Sequence, residues 1–503
     1  MPKAPAEDLA TFVRRQPAED LASVLLELSD TLEPVRERLE RMQLANRPDK
    51  LAASFRKQLS GWKRASRFLT YREAREFGRT LEAWLEQVAR ELQPRDPPAA
   101  LALFEDFIEA DAKWFERADD SDGSIGNAVR EGCRHWLEAA AQCETPRSAW
   151  PERLMRLYDA DQYSAREPLL RNADRLLDEA VLRDLAHGYE ARMHAVVARP
   201  HDGPGRPYEV FHLSAALAIL AEVLRDPDIH VRAVLCYSPQ PNEMQKEGFA
   251  QAYLDEARPQ DALKWLEGDW GPRERTRRRL LSDALGSLGR TAESAQIRRE
   301  LFEASLSAFD LHRWLEHLTG AARPQARARA RELAVGHGDA VTAAILLLDL
   351  DDPAGAEEAL LRADAVIDGR NYGQLVPLAK ALRQQGCPRG ETAVLRALMA
   401  DILRRANARA YGHAARYLGR LREIAATGEP LSPLAMHAAF EQELKATHPR
   451  KVTFWAQVAR IGTAGSTDEP LALKQPWVPG GATRGLVRTR STTAPPLQQS
   501  RLR

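Results

Sequence analysis

The segment Glu247–Glu267, EGFAQAYLDEARPQDALKWLE, contains two short helical patterns that are separated by a turn. Phe249 and Tyr253 are four residues apart, so both aromatic rings lie on the same face of the first predicted helix. Pro259 then starts the second helix, because proline is favoured at the first helical position, where its missing N–H is not needed. The segment therefore predicts a helical hairpin.

The order of large and small residues in this segment, including Ala250, Ala262 and Leu266, resembles a tetratricopeptide hairpin. The segments Leu280–Phe302 and Leu348–Ala363 are similar, less regular copies. In this family, small residues lie where two helices cross and large residues lie between them, so hairpins stack into a solenoid. The resemblance implies an irregular, tetratricopeptide-like α-solenoid.

Solenoids expose large surfaces and act mainly by binding other molecules. We therefore expect a non-enzymatic interaction or scaffold protein that binds a protein or peptide through its helical-repeat surface. The candidate protein-binding residues are Tyr253, Trp265, Arg298 and Arg299. The identity of the partner, the pathway and the oligomeric state stay open.

The rest of the chain follows the same helical pattern. Ala, Leu, Glu and Arg recur at helical spacing, and stretches that alternate with a period of two are scarce. The hexapeptide Pro-Ala-Glu-Asp-Leu-Ala occurs at Pro5 and again at Pro17, and each copy predicts a helix start. After the second copy, Leu21, Val24 and Leu28 predict one apolar helix face, together with Leu25. The fold class is predicted to be all-α.

Composition divides the chain into four regions. Residues 1–198 predict an N-terminal helical domain, and residues 199–209 predict a linker because the stretch RPHDGPGRPY is rich in Pro and Gly. Residues 210–460 predict the helical-repeat region. Residues 461–503, rich in Gly, Thr, Ser, Pro and Arg, predict a disordered tail.

Overall charge does not indicate a ligand. The 503 residues include 72 basic and 72 acidic side chains, so neither nucleic acid nor an acidic membrane is favoured by net charge. The cysteines Cys133, Cys143, Cys236 and Cys387 are far apart, which favours a reducing cytoplasm. No signal peptide is recognised, and apolar runs such as the one at Ala343 are too short to span a membrane.

Three further segments resemble a family of uncharacterised bacterial all-helical proteins: Leu21–Trp62, Ala410–Ala425 and His448–Val458. The last two also resemble the helical portion of bacterial SWIM zinc-finger proteins. That zinc finger requires a C-x-C pair followed by a C-x-H pair, and only Cys133 and His135 correspond to it. The resemblance implies a helical fold without implying an activity or a metal.

Other motifs do not identify a cofactor or a catalytic residue. Asp120, Asp122 and Gly123 follow part of a calcium-loop spacing, but the first carboxylate and the final Glu are missing. No phosphate-binding loop, dinucleotide fingerprint or nucleophile elbow is present in the sequence. An enzyme without a recognisable motif, with its site near His212, is a third hypothesis.

The segment Arg47–Arg79 is basic and contains aromatic residues such as Phe55 and Trp62. Such a segment could hold a phosphate backbone and stack nucleic-acid bases. Alternatively, the aromatic residues form a core stripe and the cations are solvated on the opposite face. This second functional hypothesis, a nucleic-acid-associated protein, assigns polyanion binding to Arg56, Lys57, Lys63, Arg64 and Arg67.

Overall fold

A computed structural model describes residues 8–44, 46–200, 208–362, 365–428 and 430–463. These residues form helices and their connections, and an isolated parallel bridge between Leu69 and Ala118 is the one β-type pairing among them. The predicted all-α fold is confirmed. Most of the predicted linker and nearly all of the predicted tail lie outside the described residues.

The chain divides into two compact units, Met1–Arg258 and Pro259–Arg503. The α-helices described in the first unit are α1 Leu9–Arg14, α2 Ala18–Thr31, α3 Glu33–Gln43, α4 Pro48–Arg64, α5 Tyr71–Gln87, α6 Pro97–Ile108, α7 Asp111–Phe115, α8 Ser124–Ala140, α9 Trp150–Asp159, α10 Pro168–Arg171, α11 Glu179–Val197, α12 Tyr208–Leu224, α13 Pro227–Tyr237 and α14 Glu243–Asp255. A π-helical turn, Val88–Leu92, continues α5.

The second unit is also helical throughout its described part. Its α-helices are α15 Pro259–Trp265, α16 Glu274–Ser287, α17 Thr291–Ser305, α18 Ala308–Glu316, α19 Ala322–Val335, α20 Ala340–Asp349, α21 Pro353–Leu361, α22 Tyr372–Gln384, α23 Pro388–Arg404, α24 Tyr411–Ala426, α25 His437–Thr447 and α26 Val452–Thr463. In both units consecutive helices pack against each other, as in α11 with α12, α16 with α17, and α20 with α21.

An aromatic core holds the first unit together. The indole of Trp84 on α5 stacks on Phe107 of α6 at 5.6 Å and meets Phe55 of α4 edge to face at 6.0 Å. Gly78 allows α5 to approach α8 closely, because a Cβ there would lie 2.8 Å from the Ser124 carbonyl carbon. The helices around α5 are therefore fixed by ring packing and by one small residue.

Small residues set the helix spacing in the second unit. Ala326, Ala330 and Ala334 recur every four residues on α19 and are all buried. Ser282 of α16 and Ser294 of α17 are fully buried where these helices meet, with their hydroxyl oxygens 2.8 Å apart. The predicted crossing of small residues in the segment Leu280–Phe302 is therefore present.

Helix starts follow the local sequence signals. Asp96 accepts a hydrogen bond from the Ala99 N–H at 3.0 Å, and two prolines open α6 directly after it. The Thr70 N–H donates to Glu73 at 3.0 Å as part of a capping box at α5. The second hexapeptide copy opens α2: Pro17 directly precedes the first helical residue, Ala18, and Glu19 lies in the first turn.

Two of the three predicted hairpins lie within the second unit, and the third spans the boundary between the two units. The segment Leu280–Phe302 falls on α16 and α17, and the described part of Leu348–Ala363 covers the last two residues of α20 and all of α21; both segments lie within the second unit. The first segment falls on α14 and α15, and the units divide at its turn, between Arg258 and Pro259. That residues 199–209 separate two domains stays a prediction.

Candidate functional site

An open groove of about 550 Å³ lies on the hairpin region of the second unit. It is formed by α15, α16 and α17, and its floor is apolar. The lining residues are Leu263, Leu281, Leu285, Arg290, Ala292, Glu293, Gln296 and Ile297.

The charges at the rim of this groove neutralise each other. The Arg290 guanidinium donates two hydrogen bonds to Glu293, at 2.7 and 2.6 Å. These bonds raise the pKa of Arg290 and lower the pKa of Glu293. The groove therefore offers apolar contact area with a neutral polar edge, which suits the apolar side chains of a protein segment.

Two of the predicted protein-binding residues differ in accessibility. Arg298 is 1% exposed, and its guanidinium donates to Ser282 Oγ at 2.9 Å and to the Asp283 carboxylate. Burial lowers the pKa of Arg298. Arg299 is exposed and donates to Glu303 at 3.0 Å. Arg298 thus packs α16 against α17, while Arg299 can reach solvent.

None of the four predicted residues belongs to the groove lining. Tyr253 belongs to the first unit, is buried, and donates its hydroxyl to Asp228 at 2.5 Å. The Arg258 guanidinium lies over its ring at 4.8 Å. Trp265 ends α15 and is half-buried. Two of the four predicted residues, Tyr253 and Arg298, are therefore buried, each within its own unit.

Sequence reasoning missed most of the groove lining. Leu281 and Leu285 lie in the predicted hairpin segment Leu280–Phe302, and they form the α16 side of the floor. Leu263 and Ile297 lie on the two neighbouring helices. Each sits at an apolar helical position, but the sequence gives no sign that the three helices leave a gap between them.

Most of the apolar face predicted for α2 is exposed. Val24 is 52% exposed and Leu25 42%, and Leu28 is also exposed. Ser29 is the buried residue of α2, which packs against α3. A helical period shows that an apolar face exists, but it does not show that a neighbouring element covers it.

The aromatic residues of the basic segment have two different roles. Phe55, Trp62 and Phe77 form edge-to-face contacts within the first unit, including a Trp62–Phe77 contact at 6.0 Å. Phe68 and Tyr71 are instead exposed. The interpretation as core residues therefore holds for Phe55, Trp62 and Phe77. The rings of Phe68 and Tyr71 are accessible for stacking.

The predicted polyanion-binding cations also separate into two groups. Lys63 is paired with Asp106 and Arg67 with Glu73, so these two cations are neutralised. Arg56, Lys57 and Arg64 are exposed on α4 and form no ion pair with the described residues; the same holds for Lys50. Lys50, Lys57 and Arg64 are seven residues apart in turn, so they follow one side of the helix.

His212 lies in a packed polar cluster. Its Nε2 atom is 3.5 Å from Asp159 Oδ1, and its ring is 5.0 Å from that of Tyr158. Asp159 also accepts hydrogen bonds from Tyr189 at 3.2 Å and from Arg192 at 2.7 Å. These contacts connect α9, α11 and α12, so the cluster contributes to the packing of the first unit.

The residues considered as metal ligands in the sequence have structural roles. Asp120 accepts hydrogen bonds from the N–H groups of Ile125 at 2.8 Å and Gly126 at 3.0 Å, and so caps α8. Cys133 is fully buried. No group of three or more His, Cys, Asp or Glu that could hold a metal ion occurs within the described ranges.

Across these same ranges, no helix combines the length and apolarity needed to cross a membrane.

The sequence profile of a family of unknown function, DUF6880, matches residues 13–457. This match covers more than half of the chain. The chain belongs to the DUF6880 family. Membership agrees with the resemblance to uncharacterised helical proteins, and it assigns no activity. The resemblance to SWIM proteins stays a prediction.

No functionally curated protein matches the chain. Among solved structures, a circular tandem repeat protein "with novel repeat topology and enhanced subunit contact surfaces" is 16% identical. The alignment covers 88% of this chain and 92% of that chain, with a TM-score of 0.18. At this score the two backbones do not superpose as a whole, and the comparison does not bear on the fold of this chain.

Proposed function

We propose that this DUF6880 protein is a non-enzymatic interaction or scaffold protein that binds a protein or peptide through its helical hairpins. The observation that carries the proposal is the apolar groove formed by α15, α16 and α17. Its rim is neutral, so an apolar segment of a partner can enter without leaving a buried charge unpaired.

Exposed apolar residues in the first unit support an interaction role. Several large apolar residues of α1 and α2 are exposed, among them Phe12, Val24 and Leu26, and each is available for contact with a partner. The four cysteines are free, which fits a protein that works in a reducing compartment such as the cytosol.

Substitutions in the groove test this proposal. The full-length protein is used to capture a partner from its native lysate, after nuclease treatment, and the partner is identified by mass spectrometry. We expect Leu281→Glu and Ile297→Glu to reduce recovery of that partner at least about tenfold, since each places a charge on an apolar contact. Val335→Glu, at an exposed apolar position on α19, is the matched control.

Unchanged recovery with both groove variants would contradict the assignment of the groove. Loss of recovery with Val335→Glu as well would show that the substitutions act through folding or solubility. Circular dichroism of each variant separates this last case from a true binding defect.

We also propose a second candidate function, nucleic-acid association through the exposed cations of α4. The observation that favours it is the row formed by Lys50, Lys57 and Arg64 without ion-pair partners among the described residues, close in sequence to the exposed rings of Phe68 and Tyr71. Cations bind phosphates by releasing counterions, and exposed rings can stack on unpaired bases.

The salt dependence of binding tests this second candidate. Affinity for a single-stranded oligonucleotide is measured at several salt concentrations. With Lys57→Gln and Arg64→Gln combined, the slope of log K against log salt should fall by about 1.4, since each phosphate contact contributes about 0.7. Lys113→Gln, an exposed lysine on α7, should leave the slope unchanged. An unaltered slope in the double variant would exclude this surface.

A further inference from the structure

The four cysteines of the chain lie in different surroundings. Cys133 is fully buried in the first unit, Cys387 is buried in the second, and the Cys143 thiol donates to the Ala139 carbonyl at 3.3 Å. Burial raises the pKa of all three thiols. These thiols are held in their protonated, unreactive form.

Cys236 lies beside a base. Its Sγ atom is 3.3 Å from Nδ1 of His194. His194 is exposed and Cys236 is half-buried, so a small reagent in solution can reach the sulfur. Among the four cysteines, Cys236 therefore combines access with a neighbouring proton acceptor.

The packing of α11 against α13 keeps the Cys236 thiol close to the His194 imidazole. His194 lies near the end of α11 and Cys236 near the end of α13, and the two helices pack against each other. One turn earlier on the same helices, the Arg232 guanidinium binds Glu190 at 2.8 Å. Two successive side-chain contacts thus connect α11 and α13 and fix the distance between thiol and imidazole.

Two charged side chains lie one turn from the pair. Arg232 is four residues before Cys236 on α13, Glu190 is four residues before His194 on α11, and the two form an ion pair. These two charges partly cancel because they bind each other. The main stabilisation of the thiolate is then the imidazolium itself, in direct contact with the sulfur.

We propose that Cys236 and His194 form a thiol modification site at which a peroxide oxidises the cysteine to a sulfenic acid. His194 accepts the thiol proton, and the thiolate sulfur attacks one oxygen of hydrogen peroxide. The O–O bond breaks, the sulfur is oxidised, and that oxygen stays on it as S–OH. The peroxide is reduced, and its second oxygen leaves as water with the proton that His194 held.

Site-resolved labelling of the full-length protein tests the site. The protein is treated with hydrogen peroxide and then with dimedone, which traps sulfenic acids, and each cysteine is followed by mass spectrometry. We expect Cys236 to be labelled on the order of tenfold faster than Cys143, with little labelling of Cys133. Equal rates for Cys236 and Cys143 would overturn the proposal.

Two substitutions on α11 separate the role of the imidazole from general effects. His194→Gln should slow labelling of Cys236 on the order of tenfold, while His187→Gln, an exposed histidine seven residues earlier, should leave it unchanged. An unfolded variant would reveal itself by new labelling of Cys133, and in that case His194→Asn is measured instead. Cys236 reacting at the same rate in the His194 variant and the unaltered protein would overturn the role of His194.

Alkylation under alkaline conditions distinguishes a base from a merely positioning residue. At about pH 10, above the ordinary thiol pKa of about 8.5, an accessible cysteine ionises without help. Iodoacetamide should then modify Cys236 equally fast in the unaltered protein and in His194→Gln. A rate that stays low in the variant under these conditions would show that His194 does not act by taking the proton.

Discussion

At the scale of single residues, burial decides which polar side chains hold the fold and which are available for binding. Arg298 and Arg299 are neighbours in sequence, yet the first is enclosed between α16 and α17 and the second is exposed. Arg166 is a comparable case in the first unit, because it is buried and donates to Asp111 at 2.9 and 2.8 Å. A buried arginine with complete partners is a structural residue.

This contrast gives a prediction for stability. Arg298→Ala should lower the free energy of unfolding by about 3 kcal/mol, because it removes the hydrogen bonds of the guanidinium to Ser282 and Asp283 and opens a cavity between α16 and α17. Arg299→Ala should cost at most about 1 kcal/mol, as expected for an exposed ion pair. Urea unfolding of both variants measures the difference, and equal costs would contradict the packing role of Arg298.

A second prediction concerns acid stability. Hydrogen bonds from Arg422 and Lys445 lower the pKa of Glu441 to about 2. An unfolded glutamate has a pKa of about 4.3, so Glu441 stabilises the fold above that pH, and this contribution is lost as the pH falls towards 2. Glu441→Gln should therefore reduce the loss of stability between about pH 5 and pH 2.

The matched control for this acid effect is Glu443→Gln on the same helix. Glu443 is exposed and forms no ion pair with the described residues. Urea unfolding across the pH range should give the same pH dependence for Glu443→Gln as for the unaltered protein. If Glu441→Gln also left the pH dependence unchanged, its ion pairs with Arg422 and Lys445 would not contribute to acid stability.

At the scale of helices, an amphipathic pattern and a buried face are separate properties. The apolar faces of α5 and α2 both follow helical spacing, but α5 packs against α8 and the π-helical turn while α2 packs against α3. Leu81 on α5 is fully buried, whereas Val24 on α2 is half exposed. Local sequence sets the pattern, and the number of neighbours decides how much of it is covered.

The prediction at this scale compares the two helices. Val24→Asp should change the free energy of unfolding by no more than about 0.5 kcal/mol, as for other surface substitutions. Leu81→Ala should cost about 3 kcal/mol, because it removes buried apolar contacts and leaves a cavity. Thermal or urea unfolding provides the values. A large cost at Val24 would show that this face is packed in solution.

At the scale of the whole molecule, the two compact units define where the chain can be divided. Val210, Leu213 and Leu217 on α12 are fully buried within the core of the first unit. The composition of residues 199–209 predicts a boundary before α12, whereas the contacts place the division after α14, at Arg258. The two boundaries predict that different N-terminal fragments of the chain fold on their own.

Fragments of the chain test these alternatives. A fragment that ends at Arg258 should unfold cooperatively, because it keeps α12 and α13 on the core of the first unit. A fragment that ends at Pro207 should be less stable by several kcal/mol, since it exposes the surface that α12 covers. Circular dichroism and urea unfolding measure both. Equal stability would instead support a domain boundary at residues 199–209.

The sequence by itself determined the all-α class, individual helix starts such as the one at Pro17, and the helical hairpin at Leu280–Phe302. These features depend on helical period, capping residues and prolines, which act within a few residues of each other. The tertiary structure alone decided that Arg298 is buried, that α2 is exposed, that three helices enclose a groove, and that Cys236 meets His194 across 42 residues. Those outcomes depend on which helices become neighbours, and contacts between distant residues leave no local pattern in a single sequence.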